Sequence, residues 1–120
     1  MKKTILLVED TGSIRSLVQL TLQGEGYHVL AGVDGADALK YLDGTNIDLI
    51  ITDLNMPNMN GIAFIREVRI REDYKYIPIV LFTTEAESIK KKAREAGATG
   101  AIAKPFQKDE LLGTIKKLIR

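Results

Sequence analysis

The chain has 120 residues, no cysteine, 45% apolar residues and a formal net charge of +1. A chain of that length fits one domain over residues 1–120 and buries roughly two-thirds of its unfolded surface. Those values exclude a disulfide scaffold, a thiolate zinc site and a cysteine nucleophile, and they argue against a dedicated nucleic-acid binder.

The first apolar run, Ile5 to Val8, is continuous, as expected of a strand covered on both faces. It is too short for a secretory h-region, and no later run approaches the roughly 20 residues of a membrane span. A cytoplasmic protein without membrane insertion is therefore expected. Ile14, Leu17, Val18 and Leu22 follow at helical spacing, with Gly24 and Gly26 as stop signals. Residues 27–31 form a weaker strand, suited to a sheet edge. A helix is expected over 35–43 from Ala36, Leu39 and Leu42, ended by Gly44. Residues 47–52 form the third strand, followed by a helical stripe of Ile62, Ile65 and Val68. Residues 77–82 form the fourth strand, with Pro78 tolerable near its start. Ala86, Ile89, Ala93 and Ala96 make a small helical stripe that stops at Gly97. Ala101 to Ala103 form a short fifth strand. Leu111, Leu112, Ile115, Leu118 and Ile119 make the strongest helical stripe.

This alternation is (βα) five times. It predicts an α/β fold with a five-stranded parallel sheet, doubly wound by right-handed crossovers. In such sheets the functional crevice lies beyond the carboxyl ends of the strands.

The residues at those ends carry chemistry. The first strand ends in Glu9-Asp10, the third in Asp53, the fourth in Thr83-Thr84 and the fifth in Lys104-Pro105. Two like charges 4 Å apart repel by about 4 kcal/mol at an effective dielectric near 20. A hard divalent cation removes that cost, and Mg²⁺ prefers oxygen ligands. Without His or Cys at these positions, zinc and copper are poor candidates. A carboxylate can carry a covalent phosphoryl group, with a cation and a lysine neutralising the transferring oxygens. Alone, Asp53 reads as a turn residue or helix cap, Thr83 as an ordinary strand end and Lys104 as an exposed lysine. Their convergence on one rim favours phosphoryl chemistry.

Charge is also uneven along the chain. Residues 1–60 carry four basic and eight acidic side chains, and residues 61–120 carry thirteen and eight. The acidic half suits a cation and the basic half an acidic partner, against the plain reading of solvated surface. Lys90, Lys91, Lys92 and Arg94 spread around a helix at 100° steps, which reads as a solvated face. His28 reads as a surface or edge residue, and Phe106 as packing.

The segments Leu7-Val8-Glu9-Asp10 with Arg15, Thr52-Asp53-Leu54-Asn55-Met56-Pro57 with Asn60-Gly61, Thr83-Thr84-Glu85, and Gly97-Ala98-Thr99-Gly100 leading to Lys104-Pro105-Phe106 resemble a response-regulator receiver domain. The match spans essentially the whole chain and is similar to the single-domain chemotaxis type. The resemblance implies a flavodoxin-like fold with strand order 2-1-3-4-5. It implies Asp53 as phosphoacceptor, with Thr83 and Lys104 at the phosphoryl group. It implies Mg²⁺ held by Glu9, Asp10, Asp53 and the backbone carbonyl of Asn55, and a cis peptide before Pro105. The implied donor is a sensor histidine kinase or a histidine phosphotransfer protein. The implied output is a downstream protein bound in trans through the fourth helix, fifth strand and fifth helix, with no direct nucleic-acid contact. Such a protein is a signalling phosphoacceptor rather than an enzyme acting on other molecules, although it catalyses its own phosphoryl transfer and slow autodephosphorylation.

Three positions depart from the common pattern. Glu9 stands where Asp is also frequent, and Thr84 is bulkier than the usual Ala or Gly. Ala101 stands where chemotaxis-type members carry an aromatic ring that turns inward on activation. That departure keeps open a phosphate shuttle of a phosphorelay, or a phosphorylation-independent binding module. A flavodoxin would set a flavin phosphate against Glu9, Asp10 and Asp53. A phosphate-binding loop of the Gly-Lys-Ser/Thr type is absent. An aspartate-based phosphohydrolase typically needs a second acid at position 55, which is Asn.

Overall fold

The computed structural model describes residues 2–84 and 87–119. Glu85 and Ala86, parts of the fourth segment expected from sequence, lie outside the described residues.

Five strands, β1 (Thr4–Val8), β2 (His28–Gly32), β3 (Leu49–Asp53), β4 (Ile79–Thr83) and β5 (Gly100–Ala103), alternate with helices α1 (Gly12–Gly24), α2 (Gly35–Ala38), α3 (Gly61–Arg69), α4 (Glu87–Ala96) and α5 (Lys108–Leu118). All strand pairs are parallel, in the order β2-β1-β3-β4-β5. This is the expected doubly wound, flavodoxin-like sheet, with β2 at one edge. Parallel neighbours require a crossover, and α1 to α4 lie in the four connections between the strands.

Apart from Thr52, the inner residues of β1, β3 and β4 are apolar because both faces of these strands are covered. Leu6, Val8, Ile50, Ile79 and Leu81 pack with Ala38, Phe64, Ile65, Val68 and Ala93 on the α2–α4 side. Ile5, Leu7, Leu49, Ile51, Val80, Phe82 and Ile102 pack with Val18, Leu22, Leu111, Leu112 and Ile115 on the α1–α5 side. The period-two alternation of a strand thus feeds two separate cores. Burying a side chain of the size of Phe64 or Phe82 contributes about 1.5–3 kcal/mol.

Three expectations are corrected. The second helix does not run over 35–43: after one turn it tightens into a 3₁₀ segment, Leu39–Tyr41. Ala36 is exposed there, and Ala38 takes the buried place. Gly32 accounts for this choice, since it leaves room for Ala38 to press within contact distance of β2. Leu17 is not a core residue of α1. It is 55% exposed and lines an apolar hollow of about 170 Å³ with Ile14, Phe82 and Pro105. Strands β3 and β4 begin two residues later than periodicity alone places them, and each ends one residue later, at Asp53 and Thr83. That shift places Asp53 and Thr83 as the last residues of their strands.

Candidate functional site

The carboxyl ends of β1, β3, β4 and β5 share one rim because the strands are parallel and in register. Val8 pairs with Thr52, Asp53 with Phe82, and Thr83 with Ala103. The residues that follow therefore meet, although they lie 44 and 51 positions apart in the chain. Glu9, Asp10 and Asp53 each place a carboxylate oxygen within 4.8 Å of the others. Glu9 and Asp53 are buried, and Asp10 is exposed.

Lys104 closes this cluster. Its Nζ lies 2.8 Å from Glu9 Oε1 and 3.0 Å from Asp53 Oδ1, and 5.1 Å from the centre of the Phe82 ring. The ring screens the ammonium from solvent on one side and adds a cation–π attraction. Phe106 packs against Phe82 at 5.9 Å between ring centres, consistent with the packing role expected for it. The Lys104–Pro105 peptide is cis, as the sequence resemblance implied. The Lys104 amide donates to the Thr83 carbonyl at 3.1 Å, which ties the β5 exit to the β4 exit.

Asp53 sits in a hydrogen-bonded turn. The Leu54 amide donates to its Oδ1 at 2.8 Å, and the Thr52 hydroxyl donates to its carbonyl at 3.0 Å. The Leu54 amide and the Lys104 ammonium both contact Oδ1. Burial pushes the Asp53 carboxyl up to about 6; the Lys104 ammonium pulls it back, and the neighbouring Glu9 charge pushes it up again. Burial alone would lower the Lys104 ammonium, but the close approach of Glu9 and Asp53 outweighs it, and the net shift is upward.

Thr83 is buried at the end of β4, on the same rim. Asn55 is exposed in the loop after β3. Ala101 lies in the middle of β5, opposite Leu81, and packs on the α2–α4 side of the sheet.

Supporting residues emerge that motif reading did not assign. The Arg15 guanidinium donates to the Glu9 carbonyl at 2.8 Å and to the Asp10 carbonyl at 3.4 Å, holding the acid pair's backbone from α1. The Thr11 amide donates to Glu9 Oε2 at 3.1 Å. Gly61 lets the first turn of α3 lie against the backbone of the rim: a Cβ there would collide with the Asp53 carbonyl and come within 3.0 Å of Leu54 Cα. Gly61→Ala should therefore destabilise the fold by about 1–3 kcal/mol and displace Asp53. Chemical denaturation checks the first, and an unchanged midpoint would show that the backbone gives way freely.

The donor set suits Mg²⁺. It is all oxygen, and Glu9 Oε1 is fully buried, without a well-aligned hydrogen bond among the described residues, 2.8 Å from the Lys104 ammonium. A small hard cation satisfies such an oxygen, whereas softer metals lack their preferred ligands.

Comparison with known proteins agrees with this geometry. Residues 5–116 match the response regulator receiver domain family. The chain is 36% identical over 116 residues to the chemotaxis protein CheY of Pseudomonas aeruginosa, covering 95% of this chain and 94% of that protein. It is 37% identical over 117 residues to the CAI-1 autoinducer sensor kinase/phosphatase CqsS of Vibrio cholerae, covering 95% of this chain but only 17% of that protein. Its fold superposes on the V. cholerae chemotaxis protein CheY4 with a TM-score of 0.95 at 39% identity, covering 99% of this chain and 100% of that one. It superposes on the receiver domain of the sensor histidine kinase PA1611 from P. aeruginosa with a TM-score of 0.91 at 28% identity, covering 98% of each chain; that structure holds a magnesium ion in its active-site cleft. Agreement over nearly the whole length, in sequence and in fold, establishes that this chain belongs to the receiver domains of two-component signalling.

Proposed function

We propose that the whole chain acts as one receiver unit. It takes a phosphoryl group from a histidine kinase or a histidine phosphotransfer protein onto Asp53, in a Mg²⁺-dependent reaction, and then switches the binding of a partner in trans. The observation that carries this reading is a buried Asp53 whose Oδ1 is held 3.0 Å from Lys104, with Glu9 and Asp10 beside it.

Glu9, Asp10, Asp53 and the Asn55 carbonyl are the residues assigned to the metal. Bound Mg²⁺ supplies positive charge at the phosphoryl oxygens. Asp53 uses Oδ2 as the nucleophile, since Oδ1 is already engaged by the Leu54 amide and Lys104. The new O–P bond forms as the P–N bond of a phosphohistidine breaks. The electron pair leaves with the ring nitrogen, which takes a proton from solvent. Lys104 follows the negative charge from the carboxylate onto a phosphoryl oxygen, and the Thr83 hydroxyl donates to another. The absence of an acid at position 55 leaves hydrolysis of the product without a general base of its own, which favours slow autodephosphorylation.

Phosphorylation adds roughly two negative charges and three acceptor oxygens. Drawing Lys104 and Thr83 toward them moves the exits of β5 and β4, and with them the α4–β5–α5 face that we assign to the downstream partner. Ala101 has no ring to turn on that face, so the signal passes through loop and helix shifts. The same feature favours a second role, as a phosphate shuttle within a phosphorelay, over binding of the kind gated by an aromatic ring. The homology to chemotaxis proteins supports a chemotaxis-type pathway, and a cytoplasmic location fits both roles.

Intact-mass spectrometry after incubation with Mg²⁺ and acetyl phosphate tests the acceptor. One phosphoryl group should be gained by the wild type and lost with Asp53→Asn or with a chelator. A folded, Mg²⁺-supplied wild type that gains no mass, and does not respond to beryllofluoride, would mark a binding module that works without phosphorylation.

A further inference from the structure

The segment from Leu54 to Asn60 links the phosphoacceptor to α3, and it is anchored in an unusual way. At its start the Leu54 amide is held by Asp53 Oδ1, and the Gly61 amide returns to the Leu54 carbonyl at 2.8 Å. At its far end Asn58 adopts a left-handed backbone, φ 69°, the only non-glycine among the described residues to do so. From there its side-chain amide donates to Asp34 Oδ2 at 2.8 Å. Met59 presses on Gly35, where a Cβ would approach the Met59 side chain within 3.0 Å.

Asp34 is itself fixed. It is 7% exposed, and its Oδ1 accepts the Asp37 amide at 2.7 Å at the start of α2. Asp37 in turn accepts from the Val33 amide at 3.0 Å and pairs with Lys40 at 2.9 Å. Asp34 is thus a rigid acceptor from a different part of the chain. A left-handed non-glycine backbone is retained where surrounding contacts over-determine it, and such residues cluster at functional loops.

We infer that Asp34 and Asn58 form a positioning pair. The pair holds the 54–60 loop in the conformation that offers Asn55 to the metal beside Asp53. This rests on the phosphoacceptor reading above. Neither residue contacts the acid cluster, so both act through the loop. Outer partners of this kind typically change metal affinity 10–100-fold when removed.

Four variants test the pair: Asp34→Asn, Asn58→Asp, their double variant and Asn58→Gly. Asp34→Asn keeps an oxygen for the Asp37 amide but replaces the charged acceptor of Asn58 by a carboxamide, leaving at best a neutral hydrogen bond with the Asn58 amide turned over. Asn58→Asp sets carboxylate against carboxylate. The double variant reverses the hydrogen bond and conserves total charge. Asn58→Gly keeps the left-handed backbone and the charge while removing the amide, so its effect cannot come from the local field or from backbone strain. Mg²⁺ affinity by calorimetric titration, the rate of acetyl phosphate labelling and the urea midpoint are measured for each.

The expected result is about tenfold weaker Mg²⁺ binding and slower labelling in Asp34→Asn and Asn58→Gly, with recovery to within about threefold of wild type in the double variant. A role confined to fold stability would lower the urea midpoints and leave Mg²⁺ affinity unchanged, which overturns the inference. A double variant no better than the worse single variant overturns it too. Failure of the parent reading looks different: the wild type itself neither binds Mg²⁺ nor gains mass. If the wild type binds Mg²⁺ without labelling, the affinities still decide the role of the pair.

Discussion

Replacing Lys104 with alanine will destabilise the metal-free fold by about 3 kcal/mol near neutral pH, the low end for breaking a buried charge pair. The side chain is 15% exposed and is the cation between Glu9 and Asp53, whose side chains are 0% and 8% exposed. Its removal leaves two carboxylates facing each other in a site of low dielectric. Water cannot fully compensate them, because Phe82 and the sheet exclude it from one side. The loss will be smaller at pH 5 than at pH 8, since Asp53 accepts a proton and relieves part of the repulsion. Mg²⁺ will bind the variant more tightly than the wild type, because no ammonium competes for the same oxygens. Phosphate acceptance will persist, but the conformational response will weaken, since no ammonium follows the charge onto the phosphoryl group. Urea unfolding with and without Mg²⁺ reads the first two effects, and amide hydrogen exchange of the β4 and β5 exits reads the third. A variant as stable as wild type at pH 8, or one that switches fully, would show that Lys104 is a peripheral lysine.

Mg²⁺ at a fixed concentration, a hundredfold excess over its dissociation constant at pH 7.5, will stabilise the wild type by about 2.7 kcal/mol at that pH, and the gain at the same concentration will depend on pH. The folded Asp53 carboxyl lies at about 6, against an ordinary 3.8. Between those values the folded chain keeps a proton that the unfolded chain has released. This group's contribution is therefore fully present below about pH 4 and is lost as pH rises through 6. The loss is on the order of 3 kcal/mol without metal. A divalent cation binds the ionised carboxylate and reverses the trend, so the Mg²⁺ gain will be larger at pH 7.5 than at pH 4.5. Other carboxylates titrate over the same range, so the group is isolated by subtracting the Asp53→Asn curve from the wild-type curve. A Mg²⁺ gain that is equal at both pH values, or absent, would remove Asp53 from the metal site.

Gly61→Ala and the Asp34–Asn58 variants probe the same site from its supports. Together with Lys104 they separate three kinds of contribution: charge balance at the oxygens, backbone clearance under Asp53, and the shape of the loop that follows it.

The alternation of strand and helix was legible in the chain because each pattern reflects a local constraint. Ile5 to Val8 and Ile79 to Phe82 read as strands since both faces of a parallel sheet are covered, which leaves no polar positions in the run. The ends of the strands were legible for the same reason: Glu9, Asp10, Asp53, Thr83 and Lys104 stand where each apolar run stops. The resemblance to a known family then implied the strand order and the roles at the rim. Leu17, Ala36 and the short α2 were misjudged, because periodicity reports which residues are apolar and not which neighbour exists to cover them. Leu17 has no helix packed over it, and Ala38 is buried because Gly32 leaves room for it.

How groups far apart in the chain act on one another is set by packing. The 2.8 and 3.0 Å approaches of Lys104 to Glu9 and Asp53 depend on register between strands that share no local sequence. So do the raised Asp53 carboxyl, the clearance at Gly61 and the bond from Asn58 to Asp34, 24 residues apart. Propensity and patterning act within a few residues, and they determined this chain's elements and its candidate chemistry. Distance, dielectric and steric clearance arise only when those elements pack, and it is they that make the rim a site.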